Sequence, residues 1–294
     1  MLNNEDIVKM QKTANTLYDL RDHTDVPFSK EISDFLLEKS NGIEGERIST
    51  ENFSALPVSR FLTNHEVIEF FVEKFGKELQ VVELGSGFTP HFLNLKKNIS
   101  KYIEVELEVN SKLKKEITRK LTNKENIYFI EGDILSKNVW EEINNIIDNQ
   151  KPLLIFSEGV IAQYFSSEQK EIVGSYIKEI INNRKTIFII DDTLRNHPEF
   201  LNSPIIQEGM NRISSQSGSK VYNNEVLSLK NEIDKWSKIF NYNIETIDYI
   251  LSKPEMDFVL KEFRLILCVG NDLKGFEKDL FKLSEIIKNK RIWK

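Results

Sequence analysis

From residue 79 onward the chain alternates short β-branched or aromatic runs with longer amphipathic stretches, and this alternation limits what it can fold into. The runs are LQVVEL (79–84), YIEVEL (102–107), IYFIE (127–131), LLIFS (153–157) and TIFII (186–190). Between them Leu113, Ile117 and Leu121, and again Ile172, Tyr176 and Ile180, recur at the three- to four-residue spacing that shares one helical face. Strand and helix in strict alternation imply five βα repeats around a parallel sheet. A helix ending near KWSKIF is followed by NYNIETIDYI and FRLILCVG, with Lys253, Pro254 and Glu255 between them, a pattern of an antiparallel hairpin. The expected fold is α/β: a doubly wound, mostly parallel seven-stranded sheet ending in an antiparallel hairpin.

Residues 1–75 have a different texture. Helical patterns cover 7–20 and 28–37, and a third follows Thr63, where TNHE offers a capping box. They predict a helical cap over 1–75 on a domain spanning 76–294. The stretch 193–224 carries Pro198, Pro204, Gly209 and SSQSGSK, which predicts an active-site loop just after the fifth strand.

Composition excludes several partners. Formal charge is 40 − 46 = −6 with the lysines scattered among acids, which argues against a nucleic-acid partner. No apolar run approaches the roughly 18 residues of a membrane span. The start, MLNNEDIVKMQK, has no apolar secretory core, so a cytoplasmic location is expected. The single cysteine, Cys268 in LILCVG, excludes an internal disulfide and a cysteine-cluster metal site, and reads as a small buried hydrophobe. No metal is expected.

Chemistry concentrates in VVELGSGFTP, where a strand ending in Glu83 and Leu84 meets Gly85, Ser86 and Gly87 before an expected helix. Glycines there permit a tight turn and close approach of a cofactor to the backbone. Three acids fall at the ends of successive strands: Glu106, 19 residues past Gly87 and placed to accept ribose hydroxyls; Asp133, placed for an adenine amino group; and Glu158 after the fourth strand. A dinucleotide pyrophosphate favours the full G-x-G-x-x-G pattern, but Pro90 takes the third glycine position. S-adenosylmethionine (SAM) instead presents a cationic sulfonium and ammonium, which Glu83 would attract. The sequence therefore favours SAM over NAD, and an NAD-dependent oxidoreductase and a non-catalytic SAM-binding module are the alternatives.

TANTLYDLRD, ALPVSRF, VVELGSGF, YIEVELEVNSKLK and FSEGVIAQYFSSEQ together resemble the leucine carboxyl methyltransferase and polyketide O-methyltransferase group of class I SAM-dependent methyltransferases. The resemblance implies a Rossmann-like methyltransferase fold. It further implies that Arg60 binds the cofactor carboxylate, Gly85 and Gly87 face the cofactor, Glu106 holds the ribose, Asp133 and Ile134 the adenine, and Glu158 the amino-acid end. Thr89 and His91 or Asn94 stand where that group usually carries Asp and Arg, and Glu106 stands where it carries Asp.

The implied reaction is O-methylation of a carboxylate on a small molecule or peptide end. A carboxylate with a pKa of about 4 is already ionised and needs no general base, so no catalytic residue is assigned. A phenolic acceptor would need one, and His91, His197 or Tyr164 would be the candidates. The usual amino-methyltransferase signature, Asn or Asp followed by Pro-Pro and an aromatic, is absent after the fourth strand, which disfavours a nucleobase acceptor.

Overall fold

The computed structural model describes residues 3–44, 55–181, 185–194, 229–240, 243–251, 263–270 and 277–290, with the single positions 204, 207, 208, 211 and 261. Seven strands form one sheet: β1 Gln80–Leu84, β2 Lys101–Glu106, β3 Ile127–Glu131, β4 Leu153–Ser157, β5 Thr186–Leu194, β6 Asn243–Asp248 and β7 Phe263–Val269. Their spatial order is β3-β2-β1-β4-β5-β7-β6. The first five are parallel and β7 runs antiparallel to both β5 and β6. This is the doubly wound sheet with a reversed hairpin that the strand pattern predicted.

All five residues of β1 and of β4 are buried, because helices cover both faces of the sheet. On one face Val81, Leu154, Phe156 and Ile187 pack against Val67, Ile68, Phe71 and Val72 of α4 (Ala55–Phe75), together with Leu283 of α10 (Glu277–Lys288). On the other, Val82, Ile155 and Phe188 meet α6 (Lys137–Ile146), α8 (Ser167–Ile181) and α9 (Leu229–Phe240) through Trp140, Ile177 and Trp236. The short α7, Ile161–Tyr164, follows β4. The helix α4, although inside the segment read as a cap, is thus a layer of the sheet core. The remaining N-terminal helices, α1 (Asn4–Thr13), α2 (Asn15–His23) and α3 (Ser29–Lys39), make their own cluster with Phe88 and with Leu113 and Ile117 of α5 (Glu108–Leu121). No helix among the described residues is long and apolar enough to cross a membrane.

Three local expectations are corrected. The helix expected over 7–20 is two helices broken at Ala14. Thr13 donates to the Lys9 carbonyl, and Asn15 donates to those of Gln11 and Lys12, so side chains compete for the carbonyls a continuous helix would use. TNHE is not a helix start but lies inside α4. The Thr63 hydroxyl donates to the Ser59 carbonyl and accepts from the Ile250 N–H, tying α4 to the end of β6. Finally, no α-helix follows the glycine turn: Phe92–Asn94 forms a single 3-10 turn before β2. Pro90 removes a backbone donor there. The loop expected over 193–224 begins inside β5, and most of it lies outside the described residues.

Helices α8 and α9 are joined by a buried ion pair, Lys170 Nζ to Glu232 Oε1 at 2.5 Å, with Trp236 Nε1 donating to Glu232 Oε2 at 2.9 Å. A buried charge stripped of its partner typically costs about 3–5 kcal/mol, whereas an apolar pair of similar volume is close to neutral. Glu232→Ala should therefore lower urea-unfolding stability by about that amount, and Lys170→Met with Glu232→Leu should restore most of it. A single-variant loss below about 1 kcal/mol would show the pair to be energetically idle.

Candidate functional site

Strand register brings the sequence candidates to one edge. Leu84 on β1 lies level with Val105 on β2 and Ser157 on β4, and Ser157 lies level with Ile190 on β5. The next residues, Gly85, Glu106, Glu158 and Asp191, therefore line the carboxyl edge of four neighbouring strands. The chain leaves β1 outward to β2 and β3 and returns to β4 on the other side, so the edge between β1 and β4 is the topological switch point where such folds bind ligands. With strands about 4.8 Å apart, Glu106 and Glu158 stand about 10 Å apart across the glycine turn.

The turn is built by Gly85 at φ +69° and Gly87 at φ +49°, conformations that side chains disfavour. Gly85 and Ser86 donate to the Val105 carbonyl at 2.9 and 3.1 Å. A Cβ on Gly85 would come within 2.6 Å of Val160, and one on Gly87 within 3.3 Å of Thr13 of α1. The protein's own side chains thus press on both glycines. The carbonyls that a following helix would have used are held by Lys114 of α5, fully buried, whose ammonium donates to Thr89 O at 2.7 Å, Gly87 O at 3.2 Å and Ser86 O at 3.5 Å. It also lies 3.6 Å from Glu104.

The glutamates divide by direction. Glu106 reaches the turn: its Oε2 accepts from the Gly87 N–H and its Oε1 from the Leu107 N–H, each at 2.8 Å. Leu107, 57% exposed, presents an apolar side chain beside it. Glu83 is turned inward instead, its carboxyl accepting from the Tyr102 hydroxyl at 2.7 Å and the Thr89 hydroxyl at 3.2 Å. Burial pushes Glu83 well above the usual carboxylate range, and the structure does not bring it to the open edge. Asp133 and Ile134 follow β3, one strand beyond β2. Asp133 is exposed and accepts from the Leu135 N–H, while Ile134 is buried and its carbonyl accepts from the Trp140 indole.

Around Glu158 the polar groups are densely connected. Glu158 Oε2 lies 2.7 Å from His91 Nε2, and His91 Nδ1 lies 3.3 Å from His65 Nδ1. Burial holds His91 below its ordinary pKa, and burial together with the neighbouring His91 takes His65 down to about 3, which favours the uncharged imidazole at both. Burial alone would raise Glu158, but the His91 hydrogen bond and Arg60 outweigh it and keep the carboxyl below its ordinary value. The Arg60 Nε stands 3.6 Å from Glu158 and 3.8 Å from Asp191, and its guanidinium lies against Gly159, where a Cβ would come within 2.9 Å. Asp191 accepts from the Gly159 N–H at 3.0 Å and from Asn64 at 3.2 Å. It sits where the β5–β7 register shifts, an irregularity of the kind that re-aims a side chain.

Sequence reasoning missed Lys114, His65, Asn64, Asp191 and Leu107. Of the candidate bases, His91 is wholly enclosed, Tyr164 ends α7 half-buried, and His197 lies outside the described residues. The edge suits a polar ligand: Ser86 Oγ, Ser157 Oγ and Glu158 Oε1 are buried without a hydrogen-bond partner among the described residues, which costs about 1–3 kcal/mol each unless a ligand or water supplies one. No group of described residues forms a metal cluster.

Comparisons with known proteins bear on the fold. Residues 57–194, a little under half of the chain, match the family model for ribosomal RNA adenine dimethylase. No curated protein matches the chain. Among solved structures, a candidate methyltransferase from Thermobifida fusca YX is 12% identical, with a TM-score of 0.58 over 87% of this chain and 94% of that one. A candidate O-methyltransferase from Nostoc punctiforme PCC 73102 is 11% identical, with a TM-score of 0.48 over 88% and 71%. A SAM-dependent methyltransferase from Anabaena variabilis ATCC 29413 is 13% identical, with a TM-score of 0.44 over 72% and 93%. The seven-stranded sheet with its reversed hairpin and N-terminal helices is the class I methyltransferase, Rossmann-like fold.

Removing the buried ammonium should loosen the turn. Lys114→Met leaves three carbonyls and Glu104 without their cation, and should lower unfolding free energy by about 2–4 kcal/mol in urea. A loss under about 1 kcal/mol would mean that the turn keeps its shape without the lysine.

Proposed function

We propose that this chain, a SAM-dependent methyltransferase with SAM as its cofactor, methylates a carboxylate oxygen on a small molecule or peptide end. The observation that carries this reading is the state of His91, the imidazole nearest the carboxyl edge among the described residues. It is enclosed and engaged at both nitrogens by Glu158 and His65. An acceptor that must lose a proton would find no ready base in it, whereas a carboxylate arrives ionised. The resemblance to carboxyl methyltransferases at FSEGVIAQYFSSEQ supports the same acceptor.

When bound, SAM supplies a methyl group on a cationic sulfur, which an anionic oxygen can displace in line. The chain's own residues hold and shield the reactants. Glu106 accepts the ribose hydroxyls beside the turn of Gly85, Ser86 and Gly87, and Asp133, Ile134 and Leu107 flank the adenine. Glu158 and Arg60 take the ammonium and carboxylate of the amino-acid end. Glu83 contributes from beneath, bracing Thr89 and Tyr102 rather than touching the cofactor. Residues 76–294 are read as the catalytic domain and 1–75 as the segment that caps it, with α4 packed as a layer of the sheet and lending Arg60 to the site. The α1 helix, with Thr13 over Gly87, limits water, and such positioning can lower a barrier by about 7–11 kcal/mol.

A second reading, an adenine of RNA as acceptor, is favoured by the family-model match over 57–194. Against it, Ser157, Glu158, Gly159 and Val160 stand at the end of β4, where amino-methyltransferases carry Asn or Asp, Pro-Pro and an aromatic, and the chain is acidic at −6.

The two acceptors differ in the bond made. Incubating the protein with methyl-labelled SAM and a cell extract, then treating the product with mild alkali, should release the label as volatile methanol from a methyl ester. Label that stays non-volatile would reject the ester, and its recovery in RNA would establish the second reading. Independently, Glu106→Ala should weaken SAM binding by about 1.5–3 kcal/mol through loss of charge-assisted hydrogen bonds, with Glu106→Asp milder. Unchanged calorimetric affinity in a folded Glu106→Ala protein would remove Glu106 from the ribose.

A further inference from the structure

We propose that His91, braced by His65, is a positioning residue for cofactor binding: it holds the Glu158 carboxylate so that Oε1 accepts the α-ammonium of SAM. The proposal rests on the cofactor reading above and concerns one end of that ligand. If the ribose lies on Glu106, the amino-acid portion extends across the glycine turn toward β4, where Glu158 stands about 10 Å away.

A carboxylate in that enclosed position can rotate out of register unless something fixes one oxygen. His91 does so at 2.7 Å, through Nε2–H to Oε2. The imidazole is itself locked. Phe61 stacks on it at 4.2 Å between ring centroids, Phe156 meets it edge-on at 5.3 Å, and its Nδ1 faces His65 Nδ1 at 3.3 Å. A neutral His91 that donates from Nε2 keeps Nδ1 as an acceptor facing His65, whose own ring is held by the Asn94 backbone, so His65 braces the imidazole from behind. With Oε2 fixed, Glu158 Oε1 is the oxygen left over. It is buried, ion-paired at 3.6 Å with Arg60 Nε, and has no hydrogen bond at normal distance among the described residues. Among the described residues, Asp191 from β5, which draws on Arg60, Lys114 from α5, which is spent on the turn carbonyls, and Glu83 from β1 also bear on this spot. His91 is not itself in a position to touch the reacting atoms, since it is wholly buried.

The test separates the two ends of the cofactor. S-adenosylhomocysteine carries the amino-acid end, whereas 5′-methylthioadenosine has the same nucleoside and thioether without it. His91→Phe keeps an aromatic ring between Phe61 and Phe156 but loses the donor, and His91→Gln retains an amide N–H that can reach Glu158. In calorimetric titrations His91→Phe should bind S-adenosylhomocysteine about ten- to a hundredfold more weakly while 5′-methylthioadenosine changes by less than about twofold, and His91→Gln should recover most of the loss. Parallel losses for both ligands, or no loss for S-adenosylhomocysteine, would overturn the proposal. Should His91→Phe fail to fold, His65→Phe carries the same reading, because it removes the brace without touching Glu158: a selective loss supports the assignment and a parallel loss or none rejects it. A parent protein that binds neither ligand would overturn the cofactor reading and this proposal with it.

Discussion

Buried charge is the constraint on which the rest of this structure depends. Glu83, Glu104, Glu106, Glu158 and Asp191 lie on or just past four adjacent strands, all of them enclosed. Such a concentration of carboxylates in a sheet interior is costly unless cations and donors meet it. Lys114 from one side and Arg60 from the other supply the positive charge, and each does so by contacting the backbone turns as well. Lys114 binds the carbonyls of Ser86, Gly87 and Thr89, while Arg60 lies flat on Gly159. The same two side chains that neutralise the acids therefore also shape the two turns flanking the switch point.

The missing helix after β1 follows from this arrangement. In a regular βαβ unit the carbonyls past the turn enter a helix, and its N-terminus faces the ligand. Here the ammonium of Lys114 takes those carbonyls, and the surface that a helix would have covered is met by the helical cluster of α1–α3 on Phe88 and α5. Asn110 of α5 donates to Thr13 at 2.8 Å, which holds the end of α1 directly above Gly87. The cap is thus part of the wall of the site, and its contact is made at the glycine turn itself.

What the sequence showed and what it hid have physical reasons. β-Branched runs of five or six residues separated by amphipathic stretches have few other folds open to them, so the doubly wound parallel sheet and the reversed hairpin were legible. The strand-end positions of Glu106, Asp133 and Glu158 were legible for the same reason. Direction was not. In a parallel strand buried on both faces the apolar pattern carries no alternation, so nothing in VVEL says that Glu83 points into the layer beneath α4 rather than to the edge. Lys114 was hidden among the lysines of SKLKKEITRKL, where only the phase of the packed helix decides which one is buried. His65 sat inside TNHE, a string whose local chemistry reads as a helix start but which tertiary contacts place in mid-helix.

The extent of the family match also has a structural meaning. Residues 57–194 run from the start of α4 to the end of β5 and so contain Arg60, the glycine turn, Glu106, Asp133, Glu158 and Asp191. That span holds every residue assigned to the cofactor in the proposed reading, whereas α1–α3 lie outside it. In the proposed reading the ligand's two ends are met by Glu106 and Glu158 whatever lies opposite the methyl group, so a match over this span places no demand on the acceptor. At the end of β4 a carboxylate fixed by an imidazole stands in place of the Asn or Asp, Pro-Pro and aromatic of amino-methyltransferases.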